Sequence, residues 1–519
     1  MDAASLVTGN DELANSIEGI ECIMMESLYH DLTGNLRRGW VAIRRAITMA
    51  QMMGLHRGTN VDTRSPGLSD NTEPRASIDP QNIWLRLLQA DRYTSLMLDL
   101  PQSSLDDVFA TPMALERCTS RDKMRRLDCL AAGRILQRTP ADINNYTITR
   151  EIDTLLQTAS AAMPAQWWLT PDLFSSLTNP TTAVANGTIL MDQFVHFHLV
   201  ARLHLPYLLQ PQTPTHPTTN LEQQQHDHTY SKITAVSATR EMLARFLAFR
   251  ALSPTAPYCR GMDFFAFVAA ATLCVVHVEG WGWRRRQRQQ QQQHHHNHNP
   301  NHNPNPNPNP NHENDPSTPN QPALLLAHHR PTDRGLAERA LACISQLAAA
   351  GNDTGHHAGG DTGHAGGDVA AAGEMADVLG RLLAMEADAA AAAAAEGEGR
   401  GGGYRVRSCP AGAPAGPAAL GGRGRGAGVD GGVVDGGAVE SGRVVRLCIP
   451  HFGVVVVERV EAEEEGVVGL GEVMGGGEDG EWAALGGVDV GLEGVLDGLG
   501  GGGVFGEEQW AEWVGNGVP

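Results

Sequence analysis

The run from Phe264 to Val278, FFAFVAAATLCVVHV, is interrupted by a polar side chain only at Thr272 and His277. A helix that is apolar nearly all round has to be enclosed on most sides. The run is shorter than the ~18–20 residues that span a bilayer, so its enclosure is expected to be other helices of the same chain. The preceding sequence supplies them. Leu13, Ile17, Ile20 and Met24 recur at three- and four-residue steps, as do Trp40, Ile43, Ile47 and Ala50 after the turn signal Thr33-Gly34-Asn35. Each set marks one face of a helix. Gly54 followed by Leu55 suits a left-handed helix end with an apolar residue behind it.

Asp79-Pro80 reads as an N-cap and a first-turn proline. The helix it opens has Ile83, Trp84, Leu87 and Leu88 on its apolar face, with Pro101 beyond its end. Further stripes are Ile148, Ile152, Leu155 and Ala159, stopped by Pro164; Leu190, Phe194, Phe197, Ala201 and Leu205; and Ile233, Val236, Leu243 and Phe246. Alternation of β-branched residues is almost absent before residue 440. The expected fold class is all-α: a multi-helix domain interrupted by low-complexity insertions, with a Gly-rich, acidic, disordered C-terminal tail.

Composition places the boundaries. From Arg284 the chain reads RRRQRQQQQQHHHNHNPNHNPNPNPNPNHEND, which buries too little apolar area to offset the entropy of ordering. The body is therefore read as 1–283, with a Gln/His/Asn/Pro linker over 284–322. Helical periodicity returns over 323–396, at Leu336, Ala340, Ile344 and Leu347 and again at Met375, Val378, Leu379, Leu382 and Leu383. A Gly-rich linker (397–442), a short strand-like segment (443–460) and an acidic Gly-rich tail (461–519) follow. Well over half of the 59 glycines lie beyond Glu396, so little of that part is expected to build a core.

Net charge is −20, and lysine occurs only at Lys123 and Lys232. An acidic chain gains little from phosphate neutralisation, the main source of non-specific nucleic-acid affinity, so DNA binding would need a local basic module. Arg284, Arg285, Arg286 and Arg288 are the one dense basic cluster, a candidate import signal or a solvated run. Trp510 and Trp513 stand among Glu507, Glu508 and Glu512, the composition of an activation segment as well as of a plain disordered tail. No two of the eight cysteines form a C-x-x-C pair, so neither a zinc site nor a disulfide framework is indicated. The N-terminus has early acids and no apolar core, unlike a secretory signal. These features exclude a secreted or membrane protein at the level of sequence.

Catalytic and metal patterns are weak. Asp91 lies on the apolar face of its helix beside Leu87 and Leu88, where a carboxylate wants a cation; Arg37, Arg38 or Arg57 are the candidates. Without a second convergent group an ion pair is the reading, not acid catalysis. His196 and His198 are about 200° apart on a helix and do not chelate together, and neither they nor His204 form the i, i+4 pair of a helical zinc site. The tract His294–His296 with His298 is an adventitious metal binder at most. The Gly-rich segments 399–403 and 421–428 lack the context of a phosphate cradle. No catalytic, metal or DNA-binding residue is assigned, and no enzyme is expected.

The stretches SLYHDLTGNLRRGWVAIRRAITMAQMMGLHRG (27–58) and IWLRLLQADRYTSLMLDLPQ (83–102) resemble the fungal-specific transcription factor domain. This is the middle homology, or regulatory, region of binuclear zinc-cluster transcription factors. The matching marks are Trp40, the Gly54-Leu55-His56-Arg57 helix end, Trp84, Asp91-Arg92 and Pro101. FHLVARLHLPYLL (197–209), YCRGMDFFAFVAAATL (258–273), EMADVLGRLLAMEADA (374–389) and LCIPHFGVVVV (447–457) are also similar to that family.

The resemblance implies a nuclear regulator of RNA polymerase II transcription, with coregulators as partners and a zinc-cluster factor as a homo- or heterodimer partner. The family's six-cysteine DNA-reading cluster is absent from this sequence. Zinc is therefore expected only with an upstream cluster, and DNA contact only through a missing or borrowed module. The chain is expected to start inside the regulatory domain, by truncation of the gene model or by loss. The alternative is a DNA-free protein that pairs with and modulates a full-length zinc-cluster factor.

Overall fold

The computed structural model describes residues 7–32, 36–57, 80–172, 176, 179–208, 221–252, 260–296, 326–354, 365–394, 403–410, 444–449, 453–460 and 488–490. The fold is all-α with one small sheet. Its long helices are α1 (Ile17–Leu32), α2 (Leu36–Met52), α3 (Pro80–Leu98), α4 (Ser120–Leu136), α5 (Tyr146–Ala161), α6 (Pro180–Leu208), α7 (Leu221–Leu252), α8 (Arg260–His296), α9 (Arg330–Thr354) and α10 (Ala365–Ala394). The described residues of Met1–Ala270 and Arg339–Ala376 build one compact unit. Those of Ala271–Glu338 and Asp377–Gly491 build a second.

In the first unit most of the apolar stripes meet as their periodicity requires; Leu13, read on the same face as Ile17, lies instead in a separate short helix (Asp11–Ala14) and is 52% exposed. Ile20 of α1, Ile43 and Ile47 of α2, and Ile83, Trp84, Leu87 and Leu88 of α3 share one buried cluster with Leu55 and Phe109. Leu96, Ala131, Ile135, Ile152, Leu156, Leu199 and Leu203 form a second cluster that joins α3, α4, α5 and α6. Local chemistry sets the helix ends. Thr119 caps α4 by accepting from the Asp122 amide at 3.2 Å. Thr139 and Asp142 form a reciprocal capping box just before α5, satisfying two amides that have no partner within the helix.

Gly54 closes α2 with φ of 78° and delivers the buried Leu55. Asp99 ends α3 at φ 57°, and the Leu100 amide reaches back to the Ser95 carbonyl at 3.1 Å. That is a Schellman-type end in which an aspartate takes the left-handed place usually held by glycine. The Asp79 N-cap proposed for α3 lies outside the described residues.

In the second unit the His277 imidazole lies 2.8 Å from Asp333. Glu386 of α10 accepts from Arg334 Nη1 at 2.8 Å and from Arg330 Nη2 at 3.1 Å. The sheet order is β1-β3-β2-β4, with β1 (Gly403–Pro410), β2 (Val444–Ile449), β3 (Gly453–Val460) and β4 (Val488–Val490). Strand β3 is antiparallel to both β1 (Val406↔Val457) and β2 (Leu447↔Val455). Strand β4 runs parallel to β2 (Arg446↔Asp489). Val445, Leu447, Ile449, Val455 and Val457 are buried. Arg407 pairs with Glu458 at 2.9 Å, on the face that the two-residue period assigns to polar groups.

Two boundaries read from composition differ from the structure. Helix α8 does not stop at residue 283; it runs on through Arg284 and the glutamines to His296. Gln and Arg are good helix formers, and residues added to an existing helix avoid the cost of nucleation. Strand β1 falls inside the segment read as a Gly-rich linker. Tyr404, Arg405, Val406 and Arg407 alternate apolar and charged residues there, which is enough to add an edge strand beside β3. The window within Gly261–Gly282 is long and apolar enough to cross a membrane by length and composition, and 94% of it is buried inside the protein.

Candidate regulatory core

Helix α3 turns two adjacent charges inward, Asp91 and Arg92, both essentially without exposure. Asp91 Oδ2 accepts from the Ser103 amide at 2.7 Å and from the Ser103 hydroxyl at 2.8 Å. Its other oxygen lies 2.8 Å from Arg44 Nε. The cation is therefore Arg44, not Arg37, Arg38 or Arg57. Arg37 and Arg38 are exposed in the first turn of α2, and Arg57 is exposed and donates to His56 at 3.2 Å. Arg44, two turns into α2, spreads over the Trp40 ring at 4.3 Å.

Trp40 Nε1 donates to the Ser95 hydroxyl at 3.2 Å, and that hydroxyl donates to the Pro101 carbonyl at 3.3 Å. Arg44 Nη2 donates to the same carbonyl. One knot thus ties α2, α3 and the segment after α3. Arg92 donates to the carbonyls of Cys129 at 2.8 Å, Asp106 at 3.2 Å and Ser104 at 3.3 Å. Its guanidinium fits because Gly133 has no side chain: a Cβ there would stand 2.7 Å from Arg92 Cζ. Trp84 is buried, with the His56 ring 5.9 Å away. The structure thus brings Trp40, Asp91, Arg92 and Pro101 into one region, with Gly54, Leu55, His56 and Arg57 at the end of α2 beside Trp84. Every ion pair and hydrogen bond in the knot is structural in kind, because each charge is spent on a protein partner.

Of the basic cluster, Arg284 lies over the Trp281 ring at 4.7 Å. Arg285, Arg286 and Arg288 fall in the same helix, and Trp510 and Trp513 lie outside the described residues.

Sequence reasoning missed the polar interior of α6. Asp192 is held by Arg121 Nε at 2.6 Å and Arg125 Nε at 3.0 Å, both from α4. The next residue, Gln193, accepts from Arg245 Nε at 3.0 Å. His196 Nδ1 sits 2.9 Å from Asp128, with the Trp168 ring 4.8 Å away. His198 stacks on Phe265 at 3.8 Å. Near the end of the helix, Tyr207 shares a hydrogen bond with Thr149 at 2.6 Å and receives one from Arg138 at 3.1 Å. The apolar stripe read for α6 covers part of this: Leu190, Phe194 and Leu205 are buried, while Phe197 and Ala201 are half-buried. A signal existed, since Asp192, Gln193, His196, His198, Arg202 and His204 are interleaved with apolar residues and leave α6 no purely polar face.

His204 bridges Ser231 (Nδ1 to Oγ, 3.0 Å) and Asp153 (Nε2 to Oδ1, 3.3 Å). Burial pushes the Asp153 carboxyl up. Hydrogen bonds from His204, Tyr230 and Gln157 outweigh that and hold it below the usual range. A serine, a histidine and an aspartate in line invite comparison with a hydrolytic relay, but the imidazole is turned the other way round from that arrangement. Ser231 and His204 are fully buried, and the Ser231 hydroxyl is shared with Tyr146 at 2.9 Å. No substrate bond reaches such a hydroxyl, so the bridge ties α5, α6 and α7 together. Among the described residues, no three His, Cys, Asp or Glu side chains converge to hold a metal ion.

No family model matches the chain, and no solved structure matches it. Among curated relatives, the dehydrocurvularin biosynthesis regulator of Aspergillus terreus is 38% identical over 278 residues, 53% of this chain and 36% of the relative. The regulator of the same name in Alternaria cinerariae is 36% identical over 275 residues, 53% of this chain and 34% of the relative. The transcription factor eupR of a Phoma species is 41% identical over 216 residues, 41% of this chain and 45% of the relative. The matches thus span about a third to less than half of each of these relatives. Over those residues the chain is similar to fungal proteins named as transcription factors and biosynthesis regulators.

Proposed function

We propose that the chain is a fungal transcription regulator: the regulatory, non-DNA-reading part of a zinc-cluster RNA polymerase II factor. It acts in the nucleus and performs no catalysis. The observation that carries this is the 38% identity over 278 residues to a biosynthesis regulator, together with an all-α body of the kind the resemblance implies. The target genes in this reading are those of a secondary-metabolite pathway, as the names of the relatives suggest. Buried charges hold α2 to α3 and α4, α5 and α7 to α6, which suits a module that restrains or releases activity. Coregulators are its partners, and DNA is reached through a zinc-cluster module outside this sequence, in the same protein or in a dimer partner. The Arg284, Arg285, Arg286 and Arg288 cluster serves import. Trp510 and Trp513 serve activation.

The test is a reporter assay with the whole chain fused to a foreign DNA-binding domain. Transcription shifted up or down several-fold relative to the DNA-binding domain alone is the expected result. An unchanged reporter at matched expression overturns the reading.

A further inference from the structure

One apolar cluster of the first unit is half-open. Met124 and Leu127 of α4 and Ala159 of α5 are enclosed in it, while Leu115, Met163, Trp167 and Trp168 pack over them and stay partly exposed. Leu169, the next residue, is 67% exposed. Two tryptophans beside an exposed leucine have the make-up of the centre of a protein contact.

The backbone beneath this surface is fixed. Trp167 and Trp168 stand on a 3₁₀ turn, Ala165–Trp168. Gln193 of α6 donates to the carbonyls of Trp167 and Leu169, the latter at 3.5 Å, and Arg245 of α7 donates to that of Trp168. Both side chains are buried. Trp168 Nε1 donates to the Ser160 carbonyl at 3.2 Å, and its ring meets that of Trp167 edge-on at 4.8 Å. Three consecutive carbonyls are thus held from below, so the rings are ordered before anything binds and binding costs little entropy on this side.

One edge of the surface is positive. From residue 111 to residue 127 the bases are Arg117, Arg121, Lys123, Arg125 and Arg126. They face three carboxylates: Glu116 and Asp122 in the same stretch, and Asp192, which holds Arg121 and Arg125. Arg126 is turned inward to the Phe109 carbonyl at 2.8 Å. Arg117 is exposed and Lys123 half-buried. Lys123 stands one turn before Leu127 on α4, on the same face, so it flanks the cluster.

We propose that this surface docks the chain's own segment 505–513, FGEEQWAEW, which lies outside the described residues. Trp510 and Trp513 supply aromatic anchors for the half-open cluster, and Glu507, Glu508 and Glu512 meet the positive edge. No basic residue follows Arg459, so the segment brings negative charge only. A second copy of the chain is the poorer occupant. In a two-fold pair the positive edge faces itself, and like charges across an interface repel. Docking withholds the segment from other partners; that consequence rests on the activation role proposed above, and the docking itself does not.

The probe is a fluorescein-labelled peptide of residues 504–514, titrated by anisotropy against full-length protein. The parent is compared with Trp510→Ser/Trp513→Ser, whose own segment no longer competes. A segment in the same chain competes at high local concentration, so the peptide is expected to bind the double variant at least tenfold more tightly than the parent. Adding Leu169→Asp to the double variant is expected to weaken the peptide at least tenfold, and adding Lys123→Glu several-fold. Leu169 is exposed, so its substitution leaves the melting temperature within about 2 °C; that separates lost docking from lost folding. Equal affinity for parent and double variant overturns the proposal. So does full affinity retained with Leu169→Asp, or the absence of saturable binding to the double variant. None of these readouts involves transcription, so a silent reporter and a failed titration remain distinguishable.

Discussion

Asp31 is half-buried near the end of α1, and one of its oxygens has no hydrogen-bond partner. That oxygen sits where a side chain on Gly39 would be, 2.0 Å from the Cβ position. Burial raises its carboxyl from 3.8 to about 8. Between those values the folded protein keeps a proton that the unfolded chain has released. Stability therefore falls as pH rises from about 4 to about 8, by at most about 1.4 kcal/mol per pH unit. Asp31→Asn, of the same shape and without charge, is expected to stabilise the protein at pH 8 and to change little at pH 4. Denaturant midpoints at the two pH values check this, and an equal shift at both excludes the ionisation. Gly133 is a second test at this scale. Alanine there gains up to about 1 kcal/mol of helix propensity. Its methyl, however, drives into an Arg92 guanidinium already held by three carbonyls. Overpacking and broken buried hydrogen bonds win, and Gly133→Ala is expected to cost about 2–4 kcal/mol, read as a lower midpoint in urea. A neutral result would show that Arg92 has another place to go.

At the scale of elements, legibility in the sequence followed whether a signal was local. The apolar faces of α2 and α3 came from three- and four-residue spacing, and the buried part of α8 from its composition. The inward polar face of α6 did not, because its partners lie far along the chain: Asp128 is 68 residues from His196, and Arg121 is 71 from Asp192. Periodicity records that a position is polar and is silent on whether another helix will cover it. Burial of that face appears only once α4, α5 and α7 are in place. Strand β1 was not read from the sequence: the alternation of Tyr404, Arg405, Val406 and Arg407 was hidden by the glycines around it. The helical extension of α8 past Arg284 depends on propagation from its buried part. Gln290→Pro is therefore expected to unwind only residues beyond about 286, since proline removes one backbone hydrogen bond and disfavours helix just before it. Circular dichroism should lose the signal of roughly ten helical residues, with the melting temperature unchanged. A drop in melting temperature would mean that the extension supports the core.

At the scale of the whole molecule, charge decides how the chain can meet DNA. A net charge of −20 opposes approach to a polyanion, and affinity for duplex without sequence preference comes from phosphate neutralisation by Lys and Arg. The densest supply is Arg284, Arg285, Arg286 and Arg288. Beyond Arg459 the sequence has no basic residue at all. Within the described structure five arginines of the helical core are already committed, Arg44 to Asp91, Arg121 and Arg125 to Asp192, Arg330 and Arg334 to Glu386. Releasing them for phosphate contacts would leave Asp91, Asp192 and Glu386 buried and unpaired, which costs several kcal/mol each. Folding and DNA contact therefore compete for the same cations, and folding holds them. The full chain is expected to bind a mixed-sequence duplex with Kd weaker than about 10⁻⁴ M at physiological salt. Any residual binding at low salt should disappear when the four clustered arginines are changed to alanine. Fluorescence anisotropy over a salt series checks both points. Micromolar binding that survives the loss of those four arginines would show a basic face elsewhere in the chain, and DNA would then no longer have to be reached through a separate module.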